Sequence, residues 1–152
     1  MTSPNGGQMT SAPNQTARRL FASIAPTYER WARVLSLGQD GRWRRVMVDG
    51  LSLPPRCRIL DVAAGTGSIT RRLQGKGHEV TAVDLSGEML GLHPGPQRVQ
   101  ARAEMLPFEP DTFDALTLGY LLRYVDDPVA AMTELARVVK PGGRLGMVEF
   151  GL

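Results

Sequence analysis

Short, mostly apolar runs alternate with stretches in which apolar residues recur every three or four positions, and this alternation organises the chain from about residue 54 onward. The stretches at about 58–62, 79–83, 97–101, 114–118 and 144–150 predict strands. Helical spacing covers about 66–75, 86–91 and 127–139 between them. Strand and helix in alternation predict an α/β fold with a parallel, doubly wound sheet. His93-Pro94-Gly95-Pro96 limits the helix between the second and third strands to a turn or two. Upstream, Ala17, Leu20, Phe21 and Ile24 predict a helix from Gln15 to about Tyr28. Trp43, Val46 and Met47 predict another from Asp40 to Leu51, with Trp43 in a packing role. Pro54-Pro55 marks the entry to the sheet, and the Gly/Pro/Ser/Thr/Asn-rich residues 1–14 have the composition of a disordered leader. The expected organisation is therefore a leader (1–14), a helical segment (15–53) and a sheet domain (54–152).

Chemistry enters at the end of the first strand. Asp61-Val62-Ala63-Ala64-Gly65-Thr66-Gly67 runs from strand into helix through small residues, which lets backbone amides and a helix start approach a ligand closely. Asp84 ends the next apolar run, so its carboxylate stands beside that turn at the carboxyl edge of a neighbouring strand, placed to accept both hydroxyls of a ribose. An adenosine-like ligand is expected. Taken singly, such a turn can serve only to pack a helix on a sheet, and Asp84 can cap the helix that begins at Ser86. A nicotinamide site is disfavoured, because Thr70 stands where Gly-x-Gly-x-x-Gly counted from Gly65 needs its last glycine.

Composition changes this picture little. A chain of 152 residues has room for one core, and no apolar run approaches the roughly 20 residues of a membrane-spanning helix. Met1-Thr2-Ser3-Pro4-Asn5-Gly6-Gly7 lacks the basic start and apolar segment of a secretion signal, so a cytoplasmic protein is expected. Cys57 is the only cysteine and precedes a strand, which suits a buried packing thiol. The net charge of +3 conceals an asymmetry: residues 1–76 carry twelve Arg/Lys against four Asp/Glu, and residues 77–152 carry six against eleven. The basic half suits an anionic membrane surface or an acidic partner, although Arg42, Arg44, Arg45, Arg71 and Arg72 fall on helices where arginine usually marks a solvated face. No basic stripe interleaved with aromatics points to nucleic acid. His78 and His93 show no metal spacing, and no metal site is assigned.

From Phe21 to Gly151 the chain resembles the class I S-adenosylmethionine-dependent methyltransferases. The residues that carry the likeness are the Asp61–Gly67 turn, Asp84, Ala103-Glu104-Met105-Leu106-Pro107-Phe108 and Asp111-Thr112-Phe113-Asp114. Tyr28–Trp43 and Arg137–Phe150 are similar to the ubiquinone/menaquinone C-methyltransferase subgroup in particular. The chain departs from that subgroup at Trp31-Ala32, where Met-Asn is usual, at Asp40, often His, and at Tyr124, usually Asn. Arg102 stands where many relatives carry Asp or Asn beside the adenine.

The resemblance implies a Rossmann-like domain with an N-terminal helical lid, S-adenosyl-L-methionine as cofactor, and methyl transfer to a small aromatic, lipophilic acceptor such as a quinone precursor. It implies cofactor contacts from Tyr28, Asp61, Ala63, Gly65, Thr66, Gly67, Asp84, Leu85, Met89, Arg102, Ala103, Glu104 and Gly119. Tyr120, Arg123 and Tyr124 follow the fourth strand and are the catalytic candidates, with Asp126 or Asp127 as alternative partners for Arg123. The family's sheet continues past a fifth strand through a helix and two further strands, so the fold is expected to be C-terminally truncated. Strand 144–150 then becomes an edge through which the chain forms a homo-oligomer or receives a second polypeptide. The alternative function is a catalytically weak cofactor-binding or partner-binding module that needs such a second chain.

Overall fold

The computed structural model describes residues 15, 16, 19 and 39–149. The expected leader 1–14, most of the helix expected at 15–28, Tyr28 and residue 150 of the last expected strand lie outside them. The first continuous element is α1 (Gln39–Gly50), followed by β1 (Arg58–Val62), α2 (Ser68–Gly75), β2 (Glu79–Asp84), α3 (Gly87–Gly91), β3 (Arg98–Gln100), β4 (Phe113–Gly119), α4 (Pro128–Val138) and β5 (Val139–Val148). A 3₁₀ turn, Leu122–Tyr124, lies between β4 and α4. The strands are all parallel and stand in the order β3-β2-β1-β4-β5. The chain thus builds outward from β1 to β3 and then returns to the other side of β1, which opens a crevice at the carboxyl ends of β1 and β4.

Alternate residues of β1 serve opposite faces, as the period of a strand requires. Leu60 and Val62 pack with Leu116, Leu118 and the α4 residues Ala131, Leu135 and Val138. Ile59 packs on the other side with Val80, Ala115, α1 Val48 and the α2 residues Ile69 and Leu73. Cys57 belongs to this second cluster; it is buried, its Sγ–H donates to the Pro54 carbonyl at 3.2 Å, and burial pushes its thiol pKa up.

Helix α1 exists where expected but presents a different face. Trp43 and Val46 are 40% and 62% exposed, whereas Arg44 and Val48 are buried. Arg42, Arg45 and Arg71 are exposed, but Arg44 is buried and Arg72 is half-buried with its Nε inside, so the solvated-face expectation misplaces these two. The charge of Arg44 is tolerated inside because Asp40, one turn earlier, accepts a hydrogen bond from its Nε at 3.1 Å.

Helix α4 begins at a side-chain cap: Asp127 Oδ1 accepts the amides of Val129 and Ala130 at 2.9 and 3.1 Å, with Pro128 in the first turn. Arg137 near its end donates to the Phe108 and Leu106 carbonyls at 2.9 and 3.2 Å, and Glu134 accepts the Leu106 amide at 2.8 Å. The loop carrying Ala103 and Glu104 is therefore fixed to α4.

Strand β5 starts at Val139, earlier than the apolar run suggested, because Pro141-Gly142-Gly143 continues in the strand with a register shift opposite Phe113–Ala115. A Cβ at Gly143 would stand 2.8 Å from the carbonyl oxygens of Asp114 and Lys140, so only glycine fits there. Gly146 packs under Met47 and Leu51 of the α1 layer, while the odd-numbered Leu145 and Met147 are 39% and 45% exposed. Among the described residues β5 pairs with β4 alone. No helix among them is long and apolar enough to cross a membrane.

Candidate functional site

A cleft with an empty volume of about 910 Å³, counting its open mouth, runs across the carboxyl ends of the strands. Following the strand order, it is lined by Ala101, Arg102, Ala103 and Glu104 after β3, by Asp84, Leu85, Ser86 and Met89 at the end of β2, by Ala63, Gly65 and Thr66 after β1, and by Gly119, Tyr120 and Tyr124 after β4, with Arg44 of α1 at the last end. Backbone strain marks the two strand ends at the crevice. Ala63 and Tyr120 both hold φ of 54°, a left-handed conformation that residues with a Cβ rarely adopt and that Ser52, Arg56 and Asp111 share outside the cleft.

Asp84 is held from both sides. Its Oδ2 accepts the Gly65 amide at 2.8 Å and its Oδ1 accepts the Ser86 amide at 2.8 Å, which locks the carboxylate to the β1 turn and to the start of α3. The carboxylate keeps acceptor capacity beyond these amides, and the group lines the cleft. Burial raises its pKa, opposed by the amides of Ser86, Gly65 and Leu85. At the β3 end, Arg102 Nη2 lies 2.9 Å from Asp126 and 3.6 Å from Glu104. Glu104 Oε1 accepts the Asp126 amide at 3.2 Å, while its Oε2 and Arg102 Nε are buried without a hydrogen-bond partner. At the β4 end, the Tyr120 hydroxyl donates to Asp40 Oδ1 at 2.6 Å, and Arg44 Cζ sits 5.6 Å from the centre of the Tyr120 ring.

Three expected site residues lie elsewhere. Asp61 is fully buried beneath the turn and accepts from Thr70 Oγ1 at 2.6 Å and Thr117 Oγ1 at 2.9 Å. It therefore ties α2 and β4 to β1 and does not face the cleft. Gly67, with φ of 90°, backs onto His93 and Pro94; a Cβ there would stand 2.8 Å from Pro94 Cδ, so its glycine serves packing under the turn. Arg123 is half-exposed and does not line the cleft; its Nε is 3.9 Å from Glu149. Of the two alternative partners, Asp126 pairs with Arg102 and Asp127 caps α4. The other expected contacts within the described residues, Ala63, Gly65, Thr66, Asp84, Leu85, Met89, Arg102, Ala103, Glu104 and Gly119, come together around the cleft with Tyr120 and Tyr124. Among the described residues no cluster of His, Cys, Asp and Glu could hold a metal ion.

The model of the ubiE/COQ5 methyltransferase family matches residues 9–152. The chain belongs to that family. It is 41% identical over 142 residues to the demethylmenaquinone methyltransferase of Renibacterium salmoninarum, covering 91% of this chain and 60% of that protein. It is 38% identical over 148 residues to the ubiquinone/menaquinone biosynthesis C-methyltransferase UbiE of Geotalea daltonii, covering 88% and 62%. Among solved structures, the YcgJ protein of Bacillus subtilis superposes with a TM-score of 0.67 at 28% identity, covering 71% of this chain and 50% of that one. The chain thus spans about 60% of the length of the curated relatives it matches.

This member of the ubiE/COQ5 family carries two site-building residues that sequence reasoning missed. Arg44 lines the cleft, and nothing local distinguishes it from its exposed neighbours Arg42 and Arg45. His93 is buried, its Nδ1 accepts the Gly95 amide at 3.0 Å, and its Nε2 lies 3.0 Å from Thr70 Oγ1. The Gly95 bond leaves the proton of a neutral ring on Nε2, so donation runs from His93 to Thr70 to Asp61. His-Pro-Gly-Pro was a legible turn signal, but the partner of the ring lies 23 residues away.

Burial raises the Asp61 pKa to about 6, against the hydrogen bonds from Thr70 and Thr117 and the charge of Arg44. Between the ordinary carboxylate range and that value the folded chain keeps a proton that the unfolded chain has lost, so this group's contribution to stability declines as pH rises from about 4 to 6, by about 3 kcal/mol at most. His93, lowered by burial, acts with the opposite sign: it opposes the fold as pH falls through its unfolded value. Asp61→Asn is therefore expected to gain on the parent as pH rises through this window, and denaturant titrations of both at pH 4, 5, 6 and 7 measure the gain. A difference between them that does not vary with pH is incompatible with the buried carboxylate.

Proposed function

We propose that the chain carries the cofactor-binding core of an S-adenosyl-L-methionine-dependent C-methyltransferase acting on a quinone precursor, a small aromatic and lipophilic acceptor. The observation that supports it most is the Asp84 carboxylate, locked by the Gly65 and Ser86 amides and facing a cleft that crosses the strand ends. Family membership and the printed names of its relatives supply the reaction class.

The residues present fit the cofactor. Asp84 accepts the ribose hydroxyls, and Leu85 and Met89 pack on the adenine. The Ala103 backbone reads the adenine edge, beside the buried, unpartnered Glu104 Oε2, an acceptor for the exocyclic amino group. A Cβ at Gly65 would meet Met89 Cε at 3.4 Å, so the bare backbone keeps this part of the cleft open. Bound S-adenosyl-L-methionine supplies an electrophilic sulfonium methyl. The chain contributes alignment and exclusion of water. C-methylation of a phenol or hydroquinone requires loss of a proton from its oxygen, and Tyr124 with the Tyr120–Asp40 pair are the groups at that end of the cleft that can hold the oxygen.

The test is transfer of labelled methyl from the cofactor to demethylated quinols in detergent, beside simple phenols and amines, with binding of S-adenosylhomocysteine followed in parallel. Transfer to quinols is expected. Binding without transfer to any small aromatic points instead to the cofactor-binding module, and no binding removes both readings. The β5 edge, with Leu145 and Met147 exposed beside it, is the surface this reading assigns to a second chain, and light scattering that gives a monomer across the assay concentrations argues against such pairing.

A further inference from the structure

Two guanidinium groups line the cleft, and they differ in what engages them. Arg102, at the β3 end, is paired with Asp126 at 2.9 Å and lies 3.6 Å from Glu104. Arg44 stands at the opposite end, over the tip of β4. Its Nε donates to Asp40 at 3.1 Å and its Cζ lies 5.6 Å from the centre of the Tyr120 ring, which hold the group at that end of the cleft. Arg44 is only 8% exposed, yet among the described residues its Nη1 and Nη2 make no hydrogen bond. Asp40 balances the charge but occupies one edge of the guanidinium. The guanidinium lines the cleft, and its planar fork matches the two oxygens of a carboxylate.

The order of the strand ends says which carboxylate. With the adenine near Ala103 after β3 and the ribose on Asp84 at β2, the rest of an extended ligand continues past the β1 turn toward β4. That path covers roughly 14 Å, three strand spacings of about 4.8 Å. It ends at Tyr120 and Arg44. We infer that Arg44 holds the α-carboxylate of the cofactor's amino-acid end through Nη1 and Nη2, with Asp40 and Tyr120 aiming the fork. This rests on the cofactor reading above and adds to it a residue on α1, outside the sheet domain.

The experiment compares two ligands on the 152-residue chain by calorimetry: S-adenosylhomocysteine, which has the carboxylate, and 5′-methylthioadenosine, which lacks the amino-acid end. Arg44→Gln is expected to weaken S-adenosylhomocysteine by about tenfold to hundredfold, the range for a charged hydrogen-bonded pair, and to leave 5′-methylthioadenosine unchanged. Arg44→Lys, which keeps the charge and loses the fork, should recover part of the loss. Equal weakening of both ligands would assign Arg44 a structural role and overturn the inference, as would unchanged S-adenosylhomocysteine affinity. A parent chain that binds 5′-methylthioadenosine and S-adenosylhomocysteine equally well overturns the clamp while sparing the adenosine site. A parent chain that binds neither removes the cofactor reading and the clamp together.

Discussion

Asp84→Ala is expected to lower the affinity for S-adenosylhomocysteine by about 1.5–3 kcal/mol, roughly tenfold to hundredfold, because the carboxylate serves the ligand and its own support at once. Its oxygens accept the Gly65 and Ser86 amides at 2.8 Å each, so truncation removes the ribose acceptor and also unties the β1 turn from α3. Asp84→Asn separates the two effects, since the amide oxygen still accepts one backbone bond while the charge is gone. Burial raises the Asp84 pKa, and hydroxyl donors favour the ionised form, so binding by the parent should weaken as pH falls through the acid range while Asp84→Asn stays flat. Calorimetry at several pH values measures both. Equal affinity in parent and Asp84→Ala removes Asp84 from the site.

Gly67→Ala is expected to cost about 2–4 kcal/mol of folding stability, from left-handed strain together with overpacking. The residue holds φ of 90°, and its new Cβ would stand 2.8 Å from Pro94 Cδ and 2.9 Å from His93 Cδ2. The ring cannot swing aside cheaply, because Thr70 and the Gly95 amide hold both of its nitrogens. Adding His93→Ala should return part of the loss, since it removes one of the two colliding groups, and a double-mutant cycle by denaturant unfolding isolates that part. A Gly67→Ala chain within about 0.5 kcal/mol of the parent contradicts the packing account.

Much of the sheet is legible in the sequence, for a simple reason. Strands buried on both faces are dominated by apolar residues, so Ile59-Leu60 with Val62 and Val80 with Ala82-Val83 stand out and set boundaries close to those of β1 and β2. The cleft is legible because ligand-facing groups of such a sheet gather where the strands end: Asp84 and Gly119 close β2 and β4, and Gly65 and Ala103 follow β1 and β3. What was not legible depends on partners distant in sequence. Asp61 reads as a ligand contact until Thr117, on β4, is seen to hold it from below. Trp43 and Val46 share helical spacing with a core face, but Val48 and Leu51 point inward, and Arg44 goes with them because Tyr120 lies across the helix. Periodicity finds a helix without saying which side of it the rest of the molecule will cover.

The strand order has a consequence for how the cleft comes into being during synthesis. Ile59 of β1 pairs with Val80 on one side and with Ala115 on the other. The first neighbour is available early, but the second closes a loop containing all of β2 and β3; Thr117 reaches Asp61 across 56 residues. A nascent chain that has just exposed Asp84 already has the Gly turn and the acid that ties it, yet it lacks the far wall with Tyr120 and the hydroxyl of Thr117. At ribosomal speeds that interval lasts on the order of seconds, during which one side of β1 is an open apolar edge. Ligand therefore cannot draw the fold forward until β4 has left the ribosome, because the far wall of the cleft does not exist before then.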